Sequence, residues 1–510
     1  MERFVKRHGD RIVGSIAGFD RMLFRGNLSS ICHVEGMDRF LSSQHVLYKD
    51  YSSFVQRISK RVKECAEQIA RDNGRPLIHL SSPKESKEEF VRDMIEREHI
   101  TTGLVCILTC VEPCRSFSIR GDRNSKHIKL VAETRQCQHL YFYFLDHEFG
   151  LLHIRLQTWL PLTIQVCLNG REYLARQMSQ AGINYTQADN CFTAIGDFER
   201  AQRLMNDLVE RKWKPFLDAL ARRVNPWLNR KGTLVLRRYY WTIRQGEYAT
   251  DMLFRDPAAL ADVYPALLDH AIKHFHSEDV LRFLGRKARS IRTGEVKSDL
   301  QRRHEGVRVK HWVHENSIKM YDKQGSVLRI ETTINNPKRF RVRRRLTRQG
   351  PFKWLPLRKG IADMRRRAEL SRAANERYLE ALAVVGDPTP SHKLLDKVST
   401  RVIRGRQKFR ALRPISPEDS RLFKALLNGK FLIQGVRNKD LRQMLWPAAS
   451  DREQERKNAS HITRSLTLLK SHNLIYRVPK TNYYRVTKLG NEVMTTATKF
   501  RETNIALLAA

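Results

Sequence analysis

Four carboxylates and one tyrosine are the residues best placed to do chemistry. Asp20 lies between apolar stretches in IVGSIAGFDRMLFRG, Asp146 closes the apolar run LYFYFLD, Glu148 follows in DHEFG, and Glu331 sits in SVLRIETTI. Acids on neighbouring strand ends can hold two divalent cations, Mg2+ or Mn2+, for in-line attack on a phosphodiester. Asp146 has a plainer alternative, because DHEFG reads as a hairpin turn and Asp favours turns. Tyr321, in NSIKMYD, is a candidate nucleophile. Tyr173 and Tyr248 qualify in principle, and each also reads as an ordinary packed tyrosine. In LLHIRLQTW, His153, Arg155 and Gln157 share one strand face, which suits a phosphate but offers one good metal ligand. Cys106, Cys110 and Cys114 are four apart, a spacing that fits no zinc module and reads as small buried core residues. His311 and His314 lack paired cysteines and read as surface or nucleic-acid contacts.

Basic and aromatic residues form a second set. RRYYWTIRQ interleaves Arg237 and Arg238 with Tyr239, rings on which bases could stack. KRFRVRRR puts Arg341, Arg343 and Arg345 on one side of an extended strand that could follow a phosphate backbone. The chain of 510 residues carries 94 Lys plus Arg against 54 Asp plus Glu, a net charge of +40. Such an excess repels itself and implies a polyanionic partner whose counterions Lys and Arg release. The amino terminus lacks a signal-peptide core and no apolar run reaches bilayer length, so a soluble, cytoplasmic protein without membrane contact is expected. Eight cysteines over this length give no disulfide framework.

Three groups of elements must position these residues. Residues 1–190 alternate strands and helices and read as an α/β domain, with a helix over 50–72, one over 86–97, and strands before and after. Residues 191–385 read as a helical and β-hairpin domain with basic strands. Within it, NSIKMYD and SVLRIETTI face each other across a turn, placing Arg329 and Glu331 beside Lys319 and Tyr321 on the open face. A proline-containing linker follows over 386–410.

Residues 411–510 hold a helix capped by Ser416, a short helix from Asn438, and then HITRSLTLLKSHNLIYRVPKTNYYRVTKLG, a helix running into a basic hairpin. This region resembles MarR-type winged-helix DNA-binding domains. The resemblance implies a recognition helix for the major groove and a wing along the phosphates, with Arg456, Lys457, Arg464, Lys470, Arg477 and Lys480 as contacts. The hairpin HENSIKMYDKQGSVLRIETTINN is similar over about a dozen residues to one in rolling-circle replication initiators, where a tyrosine attacks DNA beside metal-bound histidines. No strand of this reading carries the histidine triplet of those enzymes. Over its whole length the chain resembles a bacterial protein family to which no activity is assigned.

The resulting expectation is an α/β (α+β) multidomain body with mixed and antiparallel sheets plus a C-terminal winged helix-turn-helix. Its function is expected to be nucleic-acid binding, chiefly duplex or single-stranded DNA, in replication or transposition of a mobile element. If it is an enzyme, it is a metal-dependent strand-cleaving or strand-transferring one of the nuclease, transposase or initiator type. The alternatives are a winged-helix transcriptional regulator with a large accessory domain and an RNA-binding protein. Oligomeric state is not legible.

Overall fold

A computed structural model describes the chain except residues 82–85, 122–127, 229–237, 286–295, 304–305, 346, 348, 386–390, 429–430, 432–434, 447–450, 480 and 504–510. A short helix α1 (Glu2–Arg7) leads into β1 (Ile12–Asn27), which among the described residues is the strand that joins both halves of the large sheet. The first half adds α2 (Val34–Ser43), α3 (Tyr51–Asp72), β2 (Leu77–His79), α4 (Lys87–Arg97), β3 (Gly103–Gly121), β4 (Ile128–Asp146), β5 (Gly150–Gln157) and β6 (Ile164–Asn169). Next come α5 (Gly170–Gln180), a small hairpin of β7 (Tyr185–Ala188) and β8 (Cys191–Ile195), α6 (Phe198–Glu210) and α7 (Trp213–Val224). The second half is β9 (Tyr240–Phe254), α8 (Pro257–Ala261), α9 (Tyr264–Lys273), α10 (Ser277–Phe283), β10 (Val296–Arg303), β11 (Gly306–Val313), β12 (Asn316–Lys323) and β13 (Val327–Thr333). The hairpin β14 (Arg341–Arg345) and β15 (Phe352–Pro356) and the long helix α11 (Met364–Leu382) complete it.

The expected division at residue 190 is not seen in the sheet. Eleven strands form one sheet in the order β10-β11-β12-β13-β9-β1-β6-β5-β4-β3-β2, antiparallel except where β2 pairs with β3. The reason is β1, whose residues 21–26 pair with β6 while 12–27 pair with β9. Below residue 21, β1 leaves β6, and the freed strand edge is met by α6, where Gln202 both donates to the Ala17 carbonyl and accepts from its N–H at 2.8 and 2.9 Å. The separate short strands read over 103–111, 116–119, 128–131 and 140–146 merge into the two long strands β3 and β4.

Apolar side chains of β1 and β3 to β6 bury against α3 and α7, giving a core that includes Phe24, Val62, Phe142 and Leu217. A second core covers the back of β9 to β13, where Met252, Ile318, Met320 and Ile330 pack on α9, α10 and α11. Asn375 of α11 is buried among these and pins the two central strands, donating to the Tyr248 carbonyl and Thr250 Oγ1 and accepting from Thr332 Oγ1. His311, expected at the surface, is fully buried on this side between Ser298 and the Tyr378 hydroxyl, while His314 is exposed beside Arg339. Cys106, Cys110 and Cys114 are buried as expected, but Cys114 is bonded to Cys137, a disulfide that the cysteine count did not anticipate. The two lie on paired strands, close in space though 23 residues apart.

Beyond the body are α12 (Ser391–Leu395), the hairpin β16 (Val402–Arg404) and β17 (Gln407–Phe409), α13 (Pro417–Leu426), α14 (Asn438–Leu445), α15 (Arg452–Ser471), the hairpin β18 (Ile475–Arg477) and β19 (Tyr484–Val486), and α16 (Lys488–Glu502). Ser416 caps α13 as expected, its hydroxyl accepting from the Asp419 N–H. The stretch read as a linker is structured from Ser391 onward, and Leu395, Val398 and Leu412 belong to the same core as Phe423, Leu441 and Ile462. Residues 386–390 of that stretch lie outside the described residues. Among the described residues no helix is long and apolar enough to cross a membrane.

Candidate metal centre

Three carboxylates meet in front of the central strands. Oxygens of Asp20 on β1, Glu247 on β9 and Glu331 on β13 lie within 4.8 Å of one another. Two features of the backbone bring them there. In the β1 to β9 ladder, Phe19 faces Tyr248 and Met22 faces Gly246, so Asp20 and Arg21 together oppose Glu247 in a bulge. A bulge bends its strand and re-aims side chains, and here it turns Asp20 onto the same face as its neighbours. Gly170, the first residue of α5, lets that helix abut β1, since a Cβ there would strike the Phe19 carbonyl. On β13, register with β12 sets Glu331 opposite Lys319 and Arg329 opposite Tyr321.

The hairpin register was read correctly, yet the face is buried rather than open: Glu331 and Arg329 have no exposed surface. Arg329 is the keystone. Its Nε and Nη2 donate to Asp251 at 2.6 and 2.8 Å, its Nη1 to Asp20 Oδ2 at 2.9 Å, and Nη2 also to the Asn190 carbonyl. Arg171 of α5 adds a second guanidinium to Asp251 at 3.0 Å. Burial works against the charge on Arg329, but Asp251 and Asp20 hold its pKa well above the usual value. Asp251 stays below the usual carboxylate range because Arg171 and Arg329 outweigh its burial.

The three converging acids are less well neutralised. Asp20 Oδ2 accepts from Arg329 and Asn190, whereas Asp20 Oδ1 is buried without a hydrogen-bond donor. Burial pushes the Asp20 pKa up, as do the nearby Glu331 and Asp251 carboxylates. Glu247 is raised likewise by burial and then by Glu331. Glu331 Oε1 is 2.8 Å from Lys319 Nζ without hydrogen-bond geometry, and Oε2 accepts from the Tyr321 hydroxyl at 3.2 Å. Oxygens on one Mg2+ or Mn2+ sit roughly 3–4 Å apart, so shifts of about an ångström or less would bring this set around a cation. A buried carboxylate oxygen without a donor, facing two more carboxylates, is the chemistry of a cation ligand set.

Two cavities open on either side of the acids. One, of about 200 Å3, is lined by Arg303, Arg308, Lys319, Tyr321 and Lys323 together with all three carboxylates. The other, of about 190 Å3, holds Asp20 and Glu247 beside Arg21, Arg92, Tyr143 and His153. Burial, reinforced by Arg21 and Arg155, lowers the His153 pKa to about 3, so its imidazole is neutral at this wall. The expected phosphate-facing trio divides: Arg155 is committed to Glu112 at 2.6 Å and Gln157 is buried against the Leu160 and Arg115 carbonyls.

Several expected site residues lie elsewhere. Asp146 closes its hairpin turn, accepting from the Glu148 and Phe149 N–H groups at 2.9 and 3.0 Å, which is the plainer reading of DHEFG. Glu148 pairs with Arg211. Neither joins the acid cluster. Tyr239 is buried, donating to the Leu162 carbonyl and accepting from Asn225, and offers no ring to a base. Tyr173 packs on Phe149, and Tyr248 points to the back of the sheet against Phe19. Tyr321 lines the acid cavity, buried, with its pKa well above the usual value through desolvation. Arg238, Arg341, Arg343 and Arg345 are exposed, the last three alternating along β14 as read. Arg456, Lys457, Arg464, Lys470 and Arg477 are exposed on α15 and β18. Arg237 and Lys480 lie outside the described residues. Glu247 escaped the sequence reading; its signal is the pair Gln245-Gly246 interrupting a strand, the usual mark of a bulge or close approach.

No protein-family model matches the chain. No curated protein matches it either. Among solved structures, the crystal structure of the di-domain ARO/CYC BexL from the BE-7585A biosynthetic pathway is similar at 11% identity and a TM-score of 0.14, over 59% of this chain and 94% of that one. A likeness this slight carries no argument.

Proposed function

We propose that the protein binds nucleic acid and cleaves or transfers its strands with a divalent metal held by Asp20, Glu247 and Glu331. The observation that carries this reading is the convergence of those three oxygens, with Asp20 Oδ1 buried and lacking a donor. Mg2+ or Mn2+ there would polarise a phosphodiester and lower the pKa of an attacking water. In such a hydrolysis the water would give up a proton as its oxygen bonds to phosphorus, the P–O bond to the leaving sugar oxygen would break, and that oxygen would take up a proton, so that one water is consumed per bond cut. Arg303, Arg308, Lys319 and Lys323, on the wall of the same cavity, supply positive charge for the phosphate. The net +40 charge supports a polyanionic substrate over a small neutral one.

The C-terminal unit supports a DNA target. Three helices followed by a two-stranded hairpin, with Val436 bridging to Tyr484 of that hairpin, have the element order of a winged helix. We read α15 as the recognition helix and the hairpin as the wing, which would bring duplex DNA of a mobile element to the body for replication or transposition. A regulator without catalysis would share this unit but has no use for the acid cluster.

The test is to incubate the purified protein with labelled single-stranded, hairpin and duplex DNA in Mg2+ or Mn2+. Cleavage or joining is expected, abolished by Glu247→Gln with duplex binding intact. A covalent adduct that survives denaturation and vanishes in Tyr321→Phe would transfer the attack from water to that tyrosine. Neither product on any substrate would leave the regulator.

A further inference from the structure

The sheet face that carries the acids continues outward over β12, β11 and β10, and its composition changes sign. Register places Lys319 opposite Lys310, Tyr321 opposite Arg308, Lys297 opposite Trp312 and Gln301 opposite Arg308. Lys310 and Lys319 are therefore a directly facing pair of like charges; Lys319 also has Glu331 opposite it on β13, and Lys310 has Asp299 opposite it on β10, but Asp299 is drawn to Arg308. Lys310 shows the crowding: burial and the neighbouring Lys319 and Arg308 lower its pKa to about 8, and its ammonium rests 3.4 Å over the Trp312 ring. The acids on this strip are already engaged, Asp299 with Arg308 and Glu331 with Lys319. On the other side of the same strands, Val309, Val313, Ile318 and Met320 are covered by α9, α10 and α11, so the charged side is the one left for a partner. Lys297 and Arg303 are exposed at its rim, while Lys310 and Trp312 are half-buried.

The strip and the acids are continuous. The cavity of about 200 Å3 is lined by Arg303, Arg308, Lys319 and Lys323 together with Asp20, Glu247 and Glu331. Asp20 is 2% exposed and Glu331 fully buried, so a phosphate must enter the cavity to reach them. A backbone held in a paired duplex cannot fold into such a recess, whereas an unpaired strand can, its phosphates tracking cations and its bases free to stack.

We infer that the β10 to β12 face is a track for single-stranded nucleic acid, feeding an unpaired strand from Lys297 past Lys310 and Arg303 into the carboxylate cavity. The inference rests on reading the acids as a phosphodiester site and names its substrate as unpaired strand, leaving duplex to the C-terminal unit.

The test uses the full chain in EDTA, so that metal binding and turnover play no part, with fluorescent dT20, rU20 and a 20-base-pair duplex followed by anisotropy over a salt series. The variant is Lys297→Gln with Arg303→Gln and Lys310→Gln, none of which contacts the acids, with thermal melting as the check on folding. Affinity for the single strands is expected to fall about tenfold or more at physiological salt, and the log–log salt slope to flatten by about 2, since each phosphate contact on a single strand contributes about 0.7. Duplex affinity should not change. The tighter of dT20 and rU20 identifies the sugar, and loss of either in the variant supports the track. Binding of dT20 should also quench a fluorescence component that Trp312→Phe removes. A folded variant that binds both single strands like the parent with the same slope overturns the inference, as does equal loss of single-strand and duplex binding. Because no divalent ion is present, failure of the metal reading, seen as no Mn2+ binding, is distinguishable from failure of the track.

Discussion

Replacing Arg329 with methionine tests whether the charges in front of the central strands form one dry network. The guanidinium has no exposed surface and satisfies Asp251 twice, Asp20 Oδ2 once and the Asn190 carbonyl once. Methionine fills much of the volume but donates nothing, so two buried carboxylates lose a counter-charge together. Removing one partner of a buried ion pair costs about 3–5 kcal/mol. Arg171 still reaches Asp251 at 3.0 Å, which limits the loss there, but Asp20 retains only the neutral Asn190 amide. A loss of about 4 kcal/mol is therefore expected for the body. With an m-value of about 3 kcal/mol/M or more in urea, the unfolding midpoint falls by up to about 1.3 M. The assay is urea unfolding followed by tryptophan fluorescence, with Arg365→Met as control. Arg365 pairs with Glu210 and Glu369 but is 67% exposed, so the control should be indistinguishable from the parent. Adding Asp20→Asn to Arg329→Met should recover part of the loss by removing one stranded charge. If Arg329→Met unfolds within about 1 kcal/mol of the parent, the cluster is wetter than its burial indicates and the reasoning fails.

Two further outcomes are expected. The folded-state pKa of Glu247 is raised, by burial and by Glu331, so the stability it contributes is present at low pH and lost as pH rises through that raised value. In EDTA the parent should therefore lose stability relative to Glu247→Gln over that rise, while Mn2+ restores the parent by about 2.7 kcal/mol at a hundred times its Kd and leaves Glu247→Gln unmoved; thermal melts across pH with and without Mn2+ check both signs. Arg464→Ala with Arg477→Ala, both exposed on α15 and β18, should weaken duplex binding and flatten its salt slope by about 2, and a gel-shift salt series showing an unchanged slope would remove the C-terminal unit from the DNA contact.

Much of this architecture was legible locally. The β12 to β13 pairing followed from a two-residue periodicity and from Gln324 and Gly325, both of which take the left-handed conformation at the turn. Asp20 and Glu331 were marked as acids on neighbouring strands that could converge, and their oxygens do meet, together with Glu247. The same argument failed for Asp146, where a strand end and a turn look alike in sequence, and the partners proved to be its own backbone. Glu247 was missed because its role depends on a bulge in a different strand, 227 positions earlier, and on β9 lying between β1 and β13. Strand order across a sheet is a long-range property that periodicity does not encode. The single sheet was missed for the same reason, since β1 reads as the start of a first domain and gives no sign that its other edge belongs to β9.

The place of β1 also sets a clock on synthesis. Its neighbour on the second side, β9, and β13 beyond it emerge from the ribosome long after it, and Glu331 follows Asp20 by 311 residues. At about 5–20 residues per second, roughly 15–60 s separate the first acid from the last. Throughout that interval the nascent chain carries Asp20 but not Glu331, so a shortened product ending before β13 lacks the three-acid cluster and, on the proposed reading, would have nothing with which to cut. On that reading the order of strands in the sheet would act as a safety catch, released only by a nearly finished body.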